Sequence, residues 1–186
     1  MNAIRFSKRA TVVALGTLLG ATVVATNPAY AGSAPANLAV SAQVNANCTI
    51  STNPLSFGSY DPVVANASSA LNGNGSVTIA CTKGSAPTVT LDNGQNYASS
   101  TRNMKITGGG TDLLQYALYQ PPNTTPGTAC SFPGSQAWGT TGAAIFTPTS
   151  PTSKTSRTYN VCGTVSAGQD VSVGTYQDTV VATVNF

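Results

Sequence analysis

Apolar side chains occupy every second position from residue 38 to residue 50, and the positions between them are polar except for Ala39. Successive side chains of a strand point to opposite faces, so this period of two predicts a strand with one buried face. Residues 171–186 form a second strand-like run, and we expect no later sequence to cover the edge beside it. The apolar positions of the first run are Leu38, Val40, Ala42, Val44, Ala46, Cys48 and Ile50.

Short runs of the same period fill the chain between these segments, with Gly- and Asn-rich turns between them. No stretch after residue 31 has a helical period. Many short strands with frequent turns predict an all-β antiparallel sandwich or barrel. The predicted inward positions are Val77, Ile79 and Cys81; Val89 and Leu91; Met104 and Ile106; Leu114, Tyr116 and Leu118; and Tyr159, Val161 and Val165.

The first 31 residues have the pattern of a signal peptide. Arg5, Lys8 and Arg9 precede an apolar stretch, residues 10–25, and Ala29-Tyr30-Ala31 predicts cleavage after Ala31. No later segment approaches the roughly 20 apolar residues of a membrane helix. We therefore expect a mature chain of residues 32–186 that is exported and not inserted into a membrane.

Charge is sparse in the mature chain. Three of the eight basic residues lie in the leader and none of the five acidic ones do, so the mature chain carries five of each and has no net charge. The charges are scattered, which argues against binding to nucleic acid or anionic lipid. A net charge near zero favours association with other protein.

The four cysteines, Cys48, Cys81, Cys130 and Cys162, all lie in the mature chain. An even number in an exported protein predicts disulfides. Three pairings are possible, and we favour Cys48 with Cys81 and Cys130 with Cys162, because each joins neighbouring segments and the two loops are similar in size. A zinc site is disfavoured because the chain has no Cys-x-x-Cys pair and no His.

The residue types argue against catalysis. The chain has no His and no Glu, so neither a Ser-His-Asp nor a Cys-His arrangement can form. Asp61 and Asp178 could be a carboxylate pair, but Asp in a turn more often accepts hydrogen bonds from backbone N–H groups. We expect no enzyme activity, no cofactor and no metal.

A region rich in Ser, Thr, Pro and Gly, from Pro121 to Ser156, predicts a long loop. Its aromatic residues have two interpretations. Phe132, Trp138 and Phe146 could form an exposed binding patch, but we favour a position over the sandwich or a disulfide.

Several motifs, in order along the mature chain, resemble the spore coat protein U domain family, which includes subunits of the archaic chaperone-usher pili such as the Csu pilus. The matching pieces are residues 48–50, 55–61, 75–82, 102–104, 114–119, 165–169 and 174–180. The most specific combination is Phe57-Gly58-x-Tyr60-Asp61 near the front with Gly174-Thr175-Tyr176-x-Asp178-Thr179-Val180 near the end.

The resemblance implies an incomplete immunoglobulin-like sandwich that lacks its last strand. A periplasmic chaperone would first fill the groove, and the N-terminal segment of a neighbouring subunit would replace it at an outer-membrane usher. Residues 32–47 would be the donor segment and residues 48–186 the sandwich domain. The implied donor residues are Leu38, Val40, Ala42 and Val44, and those bordering the groove and contacting the chaperone are Tyr176, Val180, Ala182, Val184 and Phe186.

Two functions follow as hypotheses. The first is a shaft or adaptor subunit of a surface pilus, a homo- or heteropolymer that supports attachment and biofilm formation, because a tip adhesin of this type would carry an additional binding domain. The alternative is a secreted or coat-associated binding module that completes itself by folding its own N-terminal strand back. A closed monomer would distinguish the second from the first.

Overall fold

The computed structural model describes residues 31–186. The predicted signal peptide, apart from Ala31, lies outside these residues. The chain divides into two units after Ser41. In the first unit, residues 31–41 have no regular secondary structure and their side chains are exposed.

The second unit is built from antiparallel strands, which confirms the predicted all-β class. Its elements are β1 (Cys48–Ser56), β2 (Leu71–Cys81), β3 (Thr88–Leu91), β4 (Arg102–Ile106), β5 (Leu113–Tyr119), a 3₁₀ turn (Gly142–Ala144), β6 (Arg157–Val165), β7 (Tyr176–Gln177) and β8 (Ala182–Asn185). No helix in the described part of the chain is both long enough and apolar enough to cross a membrane.

Six strands form one sheet in the order β1-β2-β6-β5-β4-β7, and β3 pairs with β8 in a second sheet. The long ladder between β2 and β6 lies near the middle of the larger sheet, with Val77 opposite Tyr159. Burial alternates along the end of β2, where Val77, Ile79 and Cys81 are buried and the residues between them are only partly buried, as the period of two predicts. Each fully buried aliphatic or aromatic side chain contributes about 1.5–3 kcal/mol.

The region from Pro121 to Ser156 contributes to the core. Trp138 and Phe146 are buried, and the Trp138 ring lies 5.0 Å from the Phe146 ring, which in turn lies 5.0 Å from the Tyr159 ring. The indole N–H of Trp138 donates to the Val89 carbonyl oxygen at 3.0 Å. The expectation that these aromatic residues cover the sandwich is confirmed for Trp138 and Phe146. Phe132, by contrast, is exposed.

Two disulfides join Cys48 to Cys81 and Cys130 to Cys162, the pairing that we favour from the sequence. The first joins direct partners in the ladder between β1 and β2. The second fastens the long loop to β6. In the described part of the chain no cysteine is left unpaired.

The C-terminal run does not form the single strand that the sequence suggests. Tyr176 lies in β7 of the larger sheet, whereas Ala182 and Val184 lie in β8 of the smaller one. Between them, Asp178 accepts hydrogen bonds from the backbone N–H groups of Gln95 and Asn96. The chain therefore passes from one sheet to the other at this carboxylate.

The strand-like period that begins at residue 37 yields a strand only from Cys48 onward. Residues 31–47 have no assigned strand, and Leu38, Val40 and Val44 are all more than 80% exposed. A period of two selects the buried face of a strand but does not supply the partner that a strand needs.

Candidate functional site: an open groove between two strand edges

Two strand edges lack a partner on one side of the sandwich. Within residues 31–186, β1 pairs only with β2, and β8 pairs only with β3. β1 and β8 lie next to each other without a ladder between them. The backbone groups on these facing edges are therefore available to a further strand.

The other edge of β3 is covered. Phe146 exchanges two backbone hydrogen bonds with Val89, at 2.8 and 3.0 Å, and the Leu91 N–H donates to the Gly139 carbonyl at 3.3 Å. The long loop thus acts as a neighbouring strand for β3. Nothing in the described chain does the same for β8, so the smaller sheet is closed on one side and open on the other.

An apolar groove runs along the open side. It contains two cavities of about 410 and 660 Å³. Leu55, Phe57, Met104 and Tyr176 line both cavities, so the cavities are parts of one groove. All four side chains are only partly buried, although they pack against the core. Apolar side chains in this state gain stability when a further element covers them.

Glycines make room for the side chains that the end of β1 and the residue after it place in the groove. Gly73 and Gly163 face each other across the ladder between β2 and β6. A Cβ atom at Gly163 would lie 2.7 Å from a Leu55 methyl carbon and 2.8 Å from the Phe57 ring. A side chain larger than glycine would therefore push Leu55 and Phe57 out of their positions.

A network around Asp178 supports one end of the groove. One carboxylate oxygen accepts from the Tyr116 hydroxyl at 2.6 Å, and the other accepts from three N–H groups of Gln95 and Asn96. Burial raises the pKa of Tyr116, and its hydrogen bond to Asp178 adds to the shift. Asp178 therefore holds the segment between β7 and β8 in place.

Asp61 has a similar local role in a turn beside the second cavity. Its carboxylate accepts from the N–H groups of Val64 and Val63, which lower its pKa. Both Asp61 and Asp178 thus bind backbone N–H groups, as the sequence predicts. The two carboxylates share no hydrogen-bond partner and are not bonded to each other.

The residues that the resemblance assigns to the groove occupy different positions. Tyr176, Val180 and Ala182 line it. Val184 is partly buried and packs against the core on β8, whereas Phe186 is exposed. Whether these residues contact a chaperone remains a prediction.

Sequence reasoning did not assign Leu55, Phe57 and Met104 to the groove, although each belongs to a matching motif. Leu55 and Phe57 have the spacing of strand neighbours on one face, which was the available signal. In the described part of the chain, no group of three or more His, Cys, Asp or Glu residues is arranged to hold a metal ion.

The sequence matches a known protein domain over most of its length. Residues 34–183 match the model of the Spore Coat Protein U domain. The chain is 35% identical to "Protein U" of Myxococcus xanthus over 204 aligned positions, which cover 100% of both chains.

Among solved structures, the chain is similar to one in the CsuC-CsuE chaperone-tip adhesion subunit pre-assembly complex from archaic chaperone-usher Csu pili of Acinetobacter baumannii. The TM-score is 0.51 at 24% identity, and the match covers 77% of this chain and 40% of that one. The E. coli Hda pilus minor tip subunit HdaB matches with a TM-score of 0.36 at 15% identity, over 74% of this chain and 79% of that one.

The match to the domain model extends over nearly all of the described residues, and the relative is similar over its full length. The chain therefore belongs to the spore coat protein U domain family.

Proposed function

We propose that this protein is a structural pilus subunit, of the shaft or an adaptor, that polymerises by donor-strand exchange. The observation that carries the proposal is the apolar groove between the unpaired edges of β1 and β8. The same chain contains an exposed segment whose apolar residues alternate. One subunit would thus offer a strand, and the next would accept it.

The donor segment suits an apolar groove. Residues 32–47 contain no charged side chain, and Leu38, Val40 and Val44 are large apolar residues two or four positions apart. Burial of each would contribute about 1.5–3 kcal/mol before ordering costs, and Ala42 would contribute less. Main-chain hydrogen bonds to both strand edges would add affinity and fix the register.

Register follows from the alternation. A shift of one residue would place Ala39, Ser41 and Gln43 in the groove instead of Leu38, Val40, Ala42 and Val44.

Insertion of a donor strand also requires β1 and β8 to separate. Some of their Cα atoms lie within 8 Å of one another, whereas a strand bonded to both edges needs about 9.5 Å, which is two strand spacings.

An open apolar groove with free strand edges is prone to aggregate. We therefore infer that a periplasmic chaperone holds the subunit until an outer-membrane usher exchanges it for the next donor segment. The route would be export through the periplasm to a pilus on the cell surface, where the polymer supports attachment and biofilm formation. No enzyme activity is part of this function.

The test compares variants by SDS gel electrophoresis of unheated surface material. Val40→Asp with Val44→Asp puts charge on the donor face and should abolish a ladder of multimers that collapses on boiling. The matched control, Ser41→Asp with Gln43→Asp, adds the same charge to the opposite face and should retain the ladder. A single monomer band in all samples would overturn the proposal and favour the self-completed binding module.

A further inference from the structure

Thr82 ties the end of the donor segment to the sandwich. The Asn47 N–H donates to the Thr82 hydroxyl oxygen at 3.1 Å, and the Thr82 N–H donates to the Asn47 carbonyl at 2.8 Å. The same hydroxyl also lies within hydrogen-bonding distance of the Asn45 carbonyl, at 3.4 Å. We call these contacts of Asn45 and Asn47 with Thr82 the Thr82 clamp.

The clamp lies on a rigid part of the molecule. Thr82 directly follows Cys81, whose disulfide to Cys48 joins β1 to β2. β2 has eleven residues and pairs with β1 on one side and β6 on the other. Residues 45–47 are thus fastened to an internal strand of the larger sheet, although they are exposed and have no strand of their own.

Little free chain remains between the clamp and the donor residues. Val44 is the last of the four predicted donor residues, and Asn45 is already in the clamp. One residue spans at most about 3.6 Å. If Val44 lies in the groove of one subunit, Asn45 must lie on the surface of the next, so the two domains are in close proximity.

We infer that Thr82 is a positioning residue that sets the angle between consecutive subunits and stiffens the polymer. This inference rests on the proposed function, because it requires that Val44 enter a neighbouring groove. Without the hydroxyl, only the backbone bond from the Thr82 N–H to the Asn47 carbonyl would remain, so residues 45 and 46 would gain freedom to rotate and the linker would be more flexible. With the hydroxyl in place, residues 45–47 keep a fixed orientation relative to β2. The angle between each pair of consecutive subunits in the polymer would then be fixed as well.

The decisive variant is Thr82→Val, which keeps the shape and the backbone N–H but removes the hydroxyl. Thr82→Ser restores the hydroxyl and should restore wild-type behaviour. Thr49→Val is the matched control, since its hydroxyl makes only a long contact, 3.5 Å, to the Ala80 carbonyl on the same pair of strands. A fourth variant has two glycines inserted between Ala46 and Asn47, which lengthens the linker and leaves Thr82 intact.

Two readouts on purified fibres test the inference. In electron micrographs, Thr82→Val and the insertion should shorten the bending persistence length, while Thr82→Ser and Thr49→Val should not. By hydrogen-exchange mass spectrometry, peptides that contain Asn47 should exchange about twofold to tenfold faster in Thr82→Val, the factor expected from one lost hydrogen bond.

The outcomes separate the two proposals. Wild-type chains that form no polymer would overturn the proposed function and this inference with it. Thr82→Val polymers that form normally and keep the wild-type persistence length would overturn the role of Thr82 alone, whatever the insertion variant does. If Thr82→Val forms no fibres, the insertion variant decides, and unchanged stiffness in it would refute the inference.

Discussion

The closed and open sides of this sandwich contain similar side chains in different states. On the closed side, Trp138, Phe146 and Tyr159 pack in a continuous buried cluster with tilted and edge-to-face ring contacts. On the open side, Phe57 and Tyr176 pack against the same core but remain partly exposed. The difference lies in strand edges, because a loop covers the edge of β3 and nothing in the described chain covers that of β8.

Polar groups reinforce the closed side. The Arg102 guanidinium donates to the carbonyl oxygens of Leu91, Asp92 and Trp138, at 2.6–3.0 Å, and so links β4 to the end of β3 and to the long loop. Burial lowers the pKa of this guanidinium. One side of the fold is thus covered within the described residues, whereas the other leaves the edge of β8 unpaired.

The largest expected effect comes from replacing one phenylalanine with alanine on the closed side and one on the open side. Phe146→Ala should lower the free energy of unfolding by about 3–5 kcal/mol, because it leaves a cavity in a packed cluster. Phe57→Ala should cost less, about 1–2 kcal/mol, in the isolated subunit, because this side chain is only partly buried there. Both losses of stability can be measured by thermal or urea unfolding in a background that carries Val40→Asp with Val44→Asp, which should keep the subunits monomeric. Equal losses of unfolding free energy in the two variants would contradict the difference between the closed and open sides.

The disulfides offer a second comparison. Both close loops of similar size, with separations of 33 and 32 residues, so removal of either should cost about 3–4 kcal/mol on the chain-entropy model. Cys130→Ser with Cys162→Ser should loosen only the closed side. Cys48→Ser with Cys81→Ser should also weaken β1 at the groove and reduce the multimer ladder at equal subunit yield. An identical ladder from both pairs would refute this distinction.

Tyr116→Phe tests the network that supports the groove. It removes the hydrogen bond to the Asp178 carboxylate, a charge-assisted contact worth about 1.5–3 kcal/mol. Urea unfolding should detect this loss. The control is Tyr119→Phe, since the Tyr119 hydroxyl shows no hydrogen bond within the described residues. An equal effect of the two substitutions would argue against the network.

The smallest expected effect concerns pH at the rim of the groove. The pKa of Asp61 lies below its ordinary value of 3.8 in the folded chain. Its contribution to stability is therefore complete above about pH 4 and is lost as the pH falls through the lowered pKa. Melting temperatures of wild type and Asp61→Asn, measured from pH 7 to pH 2.5, should differ slightly at neutral pH and converge in acid. A constant difference would contradict this sign.

Much of the fold was predictable from local pattern. Inward positions such as Ile79 and Val161 followed from the period of two, and the disulfide pairing followed from segments close in sequence. The groove was predicted only through resemblance, and its lining by Leu55 and Phe57 was missed. Those side chains depend on Gly73 and Gly163, which meet them only after distant strands have paired.

The sequence alone determined which side chains share a face, where turns interrupt the strands and that an uncharged segment with alternating apolar residues precedes Cys48, because alternation and turn chemistry are local properties. Tertiary structure decided which strand edge is covered. Trp138 and Phe146 close one edge from a loop with no strand period, and Asp178 divides the C-terminal run between two sheets. These outcomes depend on contacts between residues far apart in the chain, which no local pattern encodes.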